Sequence, residues 1–116
     1  MLKQFLLFIS SLVVFIVSCS GNSGGSADGK IVLGFAQVGA ESEYRTANTK
    51  SIREAASNAN IELVFSDAQQ KQENQIKAIR SFIARKVDVI AFSPVVESGF
   101  EAVMQEAKAA NIPIIV

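Results

Sequence analysis

The stretch that decides the fold lies at residues 61–92 and reads IELVFSDAQQKQENQIKAIRSFIARKVDVIAF. It opens on a short apolar run at 61–65 and closes on another from Val87 to Phe92. Such short, nearly continuous apolar runs are typical of strands in a parallel sheet that is covered on both faces. Between the runs, apolar residues recur at the spacing of one helix face: Ile76, Ile79, Phe82 and Ile83. The stretch therefore predicts a parallel strand–helix–strand unit.

The same pattern continues in both directions along the chain. A first strand is predicted at 31–36 and a fourth at 112–116, where Pro113 is tolerated because it lies near the strand start. Two further helices are indicated by apolar residues at helical spacing: Ile52, Ala55, Ala56 and Ala59, then Phe100, Val103, Met104 and Ala107. Strand starts 25 to 30 residues apart fit right-handed helical crossovers. We predict an α/β fold with a doubly wound parallel sheet rather than a helical solenoid, since the β-branched runs are too short and too apolar for helices.

The N-terminal segment has the organisation of an export signal. A short basic start precedes an apolar run from Phe5 to Val17, which is shorter than the roughly 20 residues of a membrane-spanning helix. The run ends in Ile16-Val17-Ser18-Cys19, which resembles a bacterial lipobox, although an ordinary free or buried cysteine is the alternative interpretation. We predict a lipoprotein signal peptide at 1–18, a lipidated Cys19 with a flexible Gly/Ser tether at 19–29, and a domain at 30–116.

Composition excludes several classes of chemistry. The chain has 116 residues, 11 basic and 11 acidic side chains, one cysteine and no histidine. A histidine-based triad, a histidine metal site and a disulfide within the chain are therefore ruled out. Basic residues that are scattered and balanced by acidic ones disfavour nucleic acid as a partner. The first loop lacks both the phosphate-loop lysine and a G-x-G-x-x-G motif, and no cofactor is predicted.

Three loops follow the carboxyl ends of the predicted strands, at 37–45, 66–72 and 93–99. Open parallel sheets bind ligands at this edge, at the point where the strand order reverses. If the strand order is 2-1-3-4, that point lies between the first and third strands. The first and third loops then face the crevice, and these two loops become the principal candidates for ligand binding.

The first loop carries an aromatic side chain beside a guanidinium and two carboxylates: Glu41, Glu43, Tyr44 and Arg45. A neutral sugar suits such a set, because its C–H face packs on an aromatic ring and its hydroxyls bond to charged groups. A purely structural interpretation stays open, with Ser42 as a helix N-cap and Glu43 as a partner of the helix dipole. In the second loop, Asp67, Gln69 and Gln70 lie at the same edge of the predicted sheet. Asp67 either contacts a ligand there or caps the second helix.

Three segments carry a resemblance to a known family: GFAQVGAESEYR at 34–45, DAQQKQENQIKAIRSFIARKVDVIAFSPVV at 67–96 and EAKAANIPII at 106–115. They resemble the N-terminal lobe of the sugar-binding proteins of bacterial ABC importers, in the ribose-binding-like group. The resemblance implies a type I periplasmic binding protein, in which two α/β lobes enclose a sugar. The chain would then be a partial N-terminal lobe, with the rest of the protein beyond Val116.

The resemblance also implies a ligand loop formed by Glu41, Ser42, Tyr44 and Arg45, and we include Glu43 in the candidate set. Tyr44 stands where the family leads us to expect Trp, and Glu43 where we expect Gly. A galactofuranose-like monosaccharide, the membrane permease of an ABC importer and a periplasmic or cell-envelope location are implied.

Three other functions were weighed against transport. An exported sugar sensor that feeds a chemoreceptor or a sensor kinase stays open, and so does a carbohydrate-active enzyme. The enzyme would need a catalytic carboxylate pair, and Glu41 and Glu43 point in different directions at a helix start. A lactose-repressor-type regulator is disfavoured, because a signal peptide occupies the place of its DNA-binding headpiece.

Overall fold

The computed structural model describes residues 28–116. The predicted signal peptide and Cys19 lie outside the described residues, as does most of the predicted tether. Across residues 28–116, none of the helices has the length and apolar character needed to cross a membrane.

Four strands and three helices alternate along the described chain. The strands are β1 (Val32–Gln37), β2 (Glu62–Asp67), β3 (Val89–Phe92) and β4 (Ile114–Ile115). The helices are α1 (Glu43–Asn58), α2 (Gln72–Ala84) and α3 (Glu101–Ala109). The strands form one sheet in the order β2-β1-β3-β4, and every pair is parallel. The predicted α/β architecture is confirmed, and the strand order is the 2-1-3-4 on which the choice of the first and third loops depended.

The helices cover the two faces of the sheet unequally. The contiguous core lies between the sheet and α2 and α3, where Ile79, Ile90 and Val103 are almost completely buried. Packing is close enough on this face that a Cβ atom at Gly34 would lie 2.6 Å from the Phe82 ring. The opposite face carries Phe35 and Phe65, whose stacked rings lie on neighbouring strands. Helix α1 lies over this second face and contacts mainly β2.

Helices α2 and α3 are also joined on their outer surface. The guanidinium of Arg80 donates to both carboxylate oxygens of Glu106, at 2.9 Å from Nε and 2.7 Å from Nη2. These hydrogen bonds hold the pKa of the Glu106 carboxyl below its ordinary value. The pair is exposed to solvent, so its contribution to stability is small.

All three helices end in the same turn, in which the residue two positions beyond the helix has a left-handed backbone. The φ angles are 55° at Asn60, 55° at Lys86 and 57° at Asn111. The next amide then bonds back into the helix, from Ile61 to Ala56, Val87 to Phe82 and Ile112 to Ala107. This is the Schellman arrangement, which satisfies carbonyl groups at a helix end.

These turns explain why the predicted third and fourth strands began too early. Val87 and Ile112 are apolar and buried, but their amides bond to helix carbonyls rather than to the sheet. They serve as the hydrophobic contact that accompanies a Schellman turn. The observed strands start two residues later, at Val89 and Ile114.

We expect Lys86→Gly to stabilise the protein by up to about 1 kcal/mol, because a side chain is disfavoured in the left-handed region. Asn60→Gly is the matched control. Because Asn tolerates the left-handed conformation, this variant should be stabilised by only a fraction of the amount expected for Lys86→Gly. Urea denaturation of the mature protein measures both effects. Equal changes in the two variants would show that strain at Lys86 is negligible.

The buried face of α1 differs from the sequence prediction. Ala56 is buried and Ile52 half-buried, as expected, but Ala55 and Ala59 are exposed. Ala59 lies beyond the last helical residue, where it is the C-cap. Arg53 contributes to packing in their place, with its guanidinium carbon 4.4 Å from the centroid of the Phe65 ring. A cation–π contact from Arg53 thus covers the Phe65 ring, on a face of the sheet that we predicted to be covered by alanine methyl groups.

Candidate functional site

The structure brings the starts of the three predicted loops to one edge of the sheet. Gln37 at the end of β1 lies opposite Asp67 at the end of β2, and Ala36 lies opposite Phe92 at the end of β3. The loop after β1 therefore starts between the loops after β2 and β3. The chain adds β2 on one side of β1 and then crosses to add β3 on the other side, so the strand order reverses at β1. Ligand sites in open parallel sheets lie at such a reversal point.

Helix α1 starts in the first loop, and Ser42 is its N-cap. The Ser42 backbone is extended and its Oγ accepts from the Arg45 amide at 3.2 Å. Its carbonyl accepts from both the amide and the hydroxyl of Thr46. Ser42 thus has the capping role that the sequence left open. Glu43 lies in the first turn of α1, where the positive end of the helix dipole stabilises a carboxylate.

The other predicted side chains of this loop surround the start of α1. Tyr44 is 80% exposed, Glu41 and Glu43 are exposed, and Arg45 is half-buried. The Glu41 carboxylate, at the end of an exposed side chain, folds back against Gly39. The arrangement presents an aromatic ring, a guanidinium and two carboxylates at the edge where the strand order reverses. These groups can pack against a sugar ring and bond to its hydroxyls.

The second loop is fixed by its own backbone. Asp67 Oδ1 accepts from the Gln69 amide at 2.8 Å, and the Gln70 amide donates to the carbonyl of Val38 at 2.7 Å. Asp67 therefore shapes a local turn; the alternative that it caps the second helix is wrong, because the N-cap of α2 is Lys71 and has no side-chain cap bond. Gln69 and Gln70 both have positive φ angles, 52° and 59°. Consecutive left-handed residues other than glycine are strained, and such strain is concentrated at functional sites.

Sequence analysis missed three glutamines that hold the loops in place. Gln37 is 4% exposed and donates to Asn48 Oδ1 and Thr49 Oγ1 of α1, at 2.9 and 3.0 Å. Gln75 is completely buried beneath the third loop, and Gln72 bonds to the carbonyl of Ser98 in that loop. One signal could have identified Gln75: it lies in the helical register of Ala78, Ile79 and Phe82, the buried stripe of α2.

Within residues 28–116, no group of three or more His, Cys, Asp or Glu side chains could hold a metal ion. A groove of about 530 Å³ lies beside the start of β4, at the opposite end of the strands from the candidate edge. Met104, Lys108 and Ile112 contribute to its lining. The candidate site therefore rests on the three loops and not on an enclosed cavity.

The sequence profile of a family described as a periplasmic binding protein domain matches residues 33–116. The galactofuranose-binding protein YtfQ of Escherichia coli (strain K12) is 48% identical over 103 residues, which make up 89% of this chain and 32% of that protein. The chain spans about a third of the length of the curated relatives that it matches.

Solved structures show the same similarity. The periplasmic binding component of an arabinose ABC transporter from Shewanella sp. ANA-3, bound to α- and β-L-arabinofuranose, is 54% identical with a TM-score of 0.71. A protein from Mycobacterium smegmatis in complex with β-D-fucofuranose is 63% identical, also with a TM-score of 0.71. Each alignment covers 72% of this chain and 28% of the other.

Proposed function

Because the chain belongs to the family of periplasmic binding protein domains, we propose that residues 30–116 form part of the N-terminal lobe of a sugar receptor. The complete protein captures a galactofuranose-like monosaccharide and delivers it to the permease of an ABC importer. The family places such proteins in the periplasm. We further propose that this one is held at the cell envelope by a lipid on Cys19, with the segment at 19–29 as the tether.

One observation carries the proposal: Tyr44 and Arg45 stand at the reversal point of the sheet, on the first turn of α1. Tyr44 is 80% exposed although it is an aromatic residue, so its ring is available as a platform. Arg45 has its backbone amide fixed by the Ser42 cap, which orients the start of its side chain. A platform and an oriented guanidinium are the two elements that recognition of a sugar ring requires.

A furanose is the ring form that the similarity favours. Two similar structures hold arabinofuranose and fucofuranose, and the Escherichia coli relative is a galactofuranose-binding protein. In our proposal, Glu41, Ser42 and Glu43 provide oxygens for the sugar hydroxyls around the ring contacts of Tyr44 and Arg45. The galactofuranose and arabinose relatives are binding proteins, and we assign no catalytic role to the two glutamates.

We expect Tyr44→Ala and Arg45→Ala each to weaken sugar binding by about 1 to 3 kcal/mol, or roughly ten- to a hundredfold in Kd. Both side chains lie outside the core, so the melting temperature should stay the same. Calorimetric titration of the complete mature protein with galactofuranose and L-arabinose measures the effect.

The matched control is Lys50→Ala, also on α1, where Lys50 forms only an exposed ion pair with Glu54 at 3.8 Å. This variant should bind as the wild type does. Unchanged affinity in both Tyr44→Ala and Arg45→Ala would place the site elsewhere, and absence of sugar binding in the wild type would contradict the receptor itself.

A further inference from the structure

The first turn of α2 holds the loop that follows β3 through the side chain of Gln75. Its Nε2 donates to the carbonyl of Ser93 at 2.7 Å and, at 3.4 Å, to that of Ala36, and its Oε1 accepts from the amide of Val95 at 2.9 Å. The residue is 0% exposed. One buried side chain thus connects α2 with the end of β1 and with the start of the β3–α3 loop.

A second glutamine, three residues earlier at the start of α2, holds the far end of that loop. Gln72 Nε2 donates to the carbonyl of Ser98 at 2.6 Å. Gly99 follows with a φ angle of 90°, and a Cβ atom there would collide with the Gln72 amide nitrogen. Glycine at 99 therefore permits both the left-handed turn and the close approach of Gln72.

A carboxamide is the side chain suited to this position, because it can donate to carbonyls and accept from an amide at the same time without a charge. A carboxylate at 75 would accept but not donate, and its charge would be buried. An apolar residue would leave the Val95 amide and the Ser93 carbonyl, which lie in part-buried hydrogen bonds, without these partners. The two glutamines satisfy the loop backbone at three points: residues 93, 95 and 98.

The residues between the last two points are exposed. Val96 is 44% exposed, which is high for an aliphatic residue, and Glu97 is exposed beside it. Both lie in the loop after β3, on the other side of the reversal point from Tyr44. An apolar and a charged side chain on a loop anchored at both ends provide a fixed surface for a ligand.

We propose that Gln72 and Gln75 are positioning residues for sugar binding, which act by clamping the loop at 93–99 in its binding conformation before the sugar arrives. The inference rests on the proposed sugar-binding function and extends it to residues that do not touch the ligand. A loop that is ordered beforehand loses less conformational freedom on binding, so the clamp raises affinity without adding a contact.

The test compares Gln72→Met and Gln75→Met in the complete mature protein, since Met has a similar length but cannot replace the hydrogen bonds. Gln105→Met is the matched control, because Gln105 is exposed on α3 and outside the loop. Hydrogen exchange of the Val95 amide, which donates to Gln75, reports loop order, and calorimetry with L-arabinose and galactofuranose reports affinity. Gln72 is only half-buried, so Gln72→Met keeps the test valid if Gln75→Met fails to fold.

We expect exchange in the loop to be about tenfold faster and sugar affinity about tenfold weaker in the Gln72→Met and Gln75→Met variants, with no change in Gln105→Met. Saturating sugar should restore wild-type protection in Gln72→Met, which a general loss of stability would not do. Unchanged exchange, or faster exchange with unchanged affinity, would overturn the clamp. If the wild type binds no sugar but loop exchange is still faster in the variants, the proposed sugar-binding function would be wrong. The clamp would then order the loop without a role in sugar binding.

Discussion

Residues 30–116, expressed alone, are expected to bind no sugar measurably and to self-associate. Sugar-binding proteins of this kind grip their ligand from two lobes, and closure of the second lobe excludes water from the site. The chain spans about a third of the length of its curated relatives, which leaves most of a two-lobed protein without a counterpart in it. A sugar at the loops of one lobe would remain open to solvent on its other side.

Self-association follows from the surface around β4. This strand pairs with β3 alone among the strands of residues 28–116, so its other edge is unpaired. Ile115 is 60% and Val116 67% exposed, and Met104 adds to an apolar groove of about 530 Å³ beside the strand. An unpaired apolar edge favours pairing with a second copy of the chain. The stability margin of about 5 to 15 kcal/mol for a complete domain should be much reduced.

Size-exclusion chromatography gives the oligomeric state of this fragment. Titration calorimetry with galactofuranose, galactose, ribose and arabinose measures its sugar binding. The matched control is the complete mature protein under the same conditions, which we expect to be monomeric and to bind. A monomeric fragment that unfolds cooperatively and binds one of these sugars at micromolar affinity would show a self-sufficient domain, and the partial-lobe interpretation would be wrong.

Cys19→Ala is expected to remove all lipid from the protein. The prediction rests on Ile16-Val17-Ser18-Cys19 at the end of the apolar run and on the Gly/Ser segment that follows. Each buried methylene of an acyl chain contributes about 0.8 kcal/mol to membrane binding, and stable anchoring needs more than one chain. Without the thiol there is no acceptor for the lipid, so the variant should accumulate as an uncleaved or mislocalised precursor.

Metabolic labelling with a radioactive fatty acid measures this directly, and fractionation of the envelope shows where the protein resides. Ser20→Ala provides the control, because it changes the neighbouring residue and keeps the thiol. Equal label in the wild type and in Cys19→Ala would contradict the lipobox and leave Cys19 as an ordinary cysteine.

Elements with a clear apolar periodicity were predictable from the sequence, and contacts that polar side chains make with distant parts of the chain were not. The parallel α/β architecture followed from the interval between apolar runs, because that interval fits a strand with its helical crossover. The order of the strands was only assumed, because the sequence alone does not specify on which side of β1 each later strand adds. The alanines of α1 were assigned by spacing alone, yet Arg53 took over part of the packing through its contact with Phe65. A long side chain with an apolar stem can cover a sheet, but a search for apolar residues at helical spacing does not include arginine.

Glutamines in the run at 69–75 illustrate the same limit in the candidate site. Four of its seven residues are Gln, and only the helical register shared with Ile79 distinguishes Gln75 as buried. The capping of α1 by Ser42 was anticipated because N-caps have a local signature. The hydrogen bonds of Gln72 and Gln37 were not anticipated, because their partners are distant in the sequence and come close only in the folded structure.

Strand β1 occupies the second place in the sheet although it comes first in the described chain, and this sets the order in which the lobe can fold. Val32 lies opposite Glu62, about thirty residues later, and Leu33 lies opposite Val89, more than fifty residues later. Contacts between distant parts of a chain form slowly, because each requires a large loop to close. A nascent chain that has emerged as far as residue 85 therefore holds β1 with one neighbour missing. The lobe can therefore complete its sheet only after β3 has been synthesised.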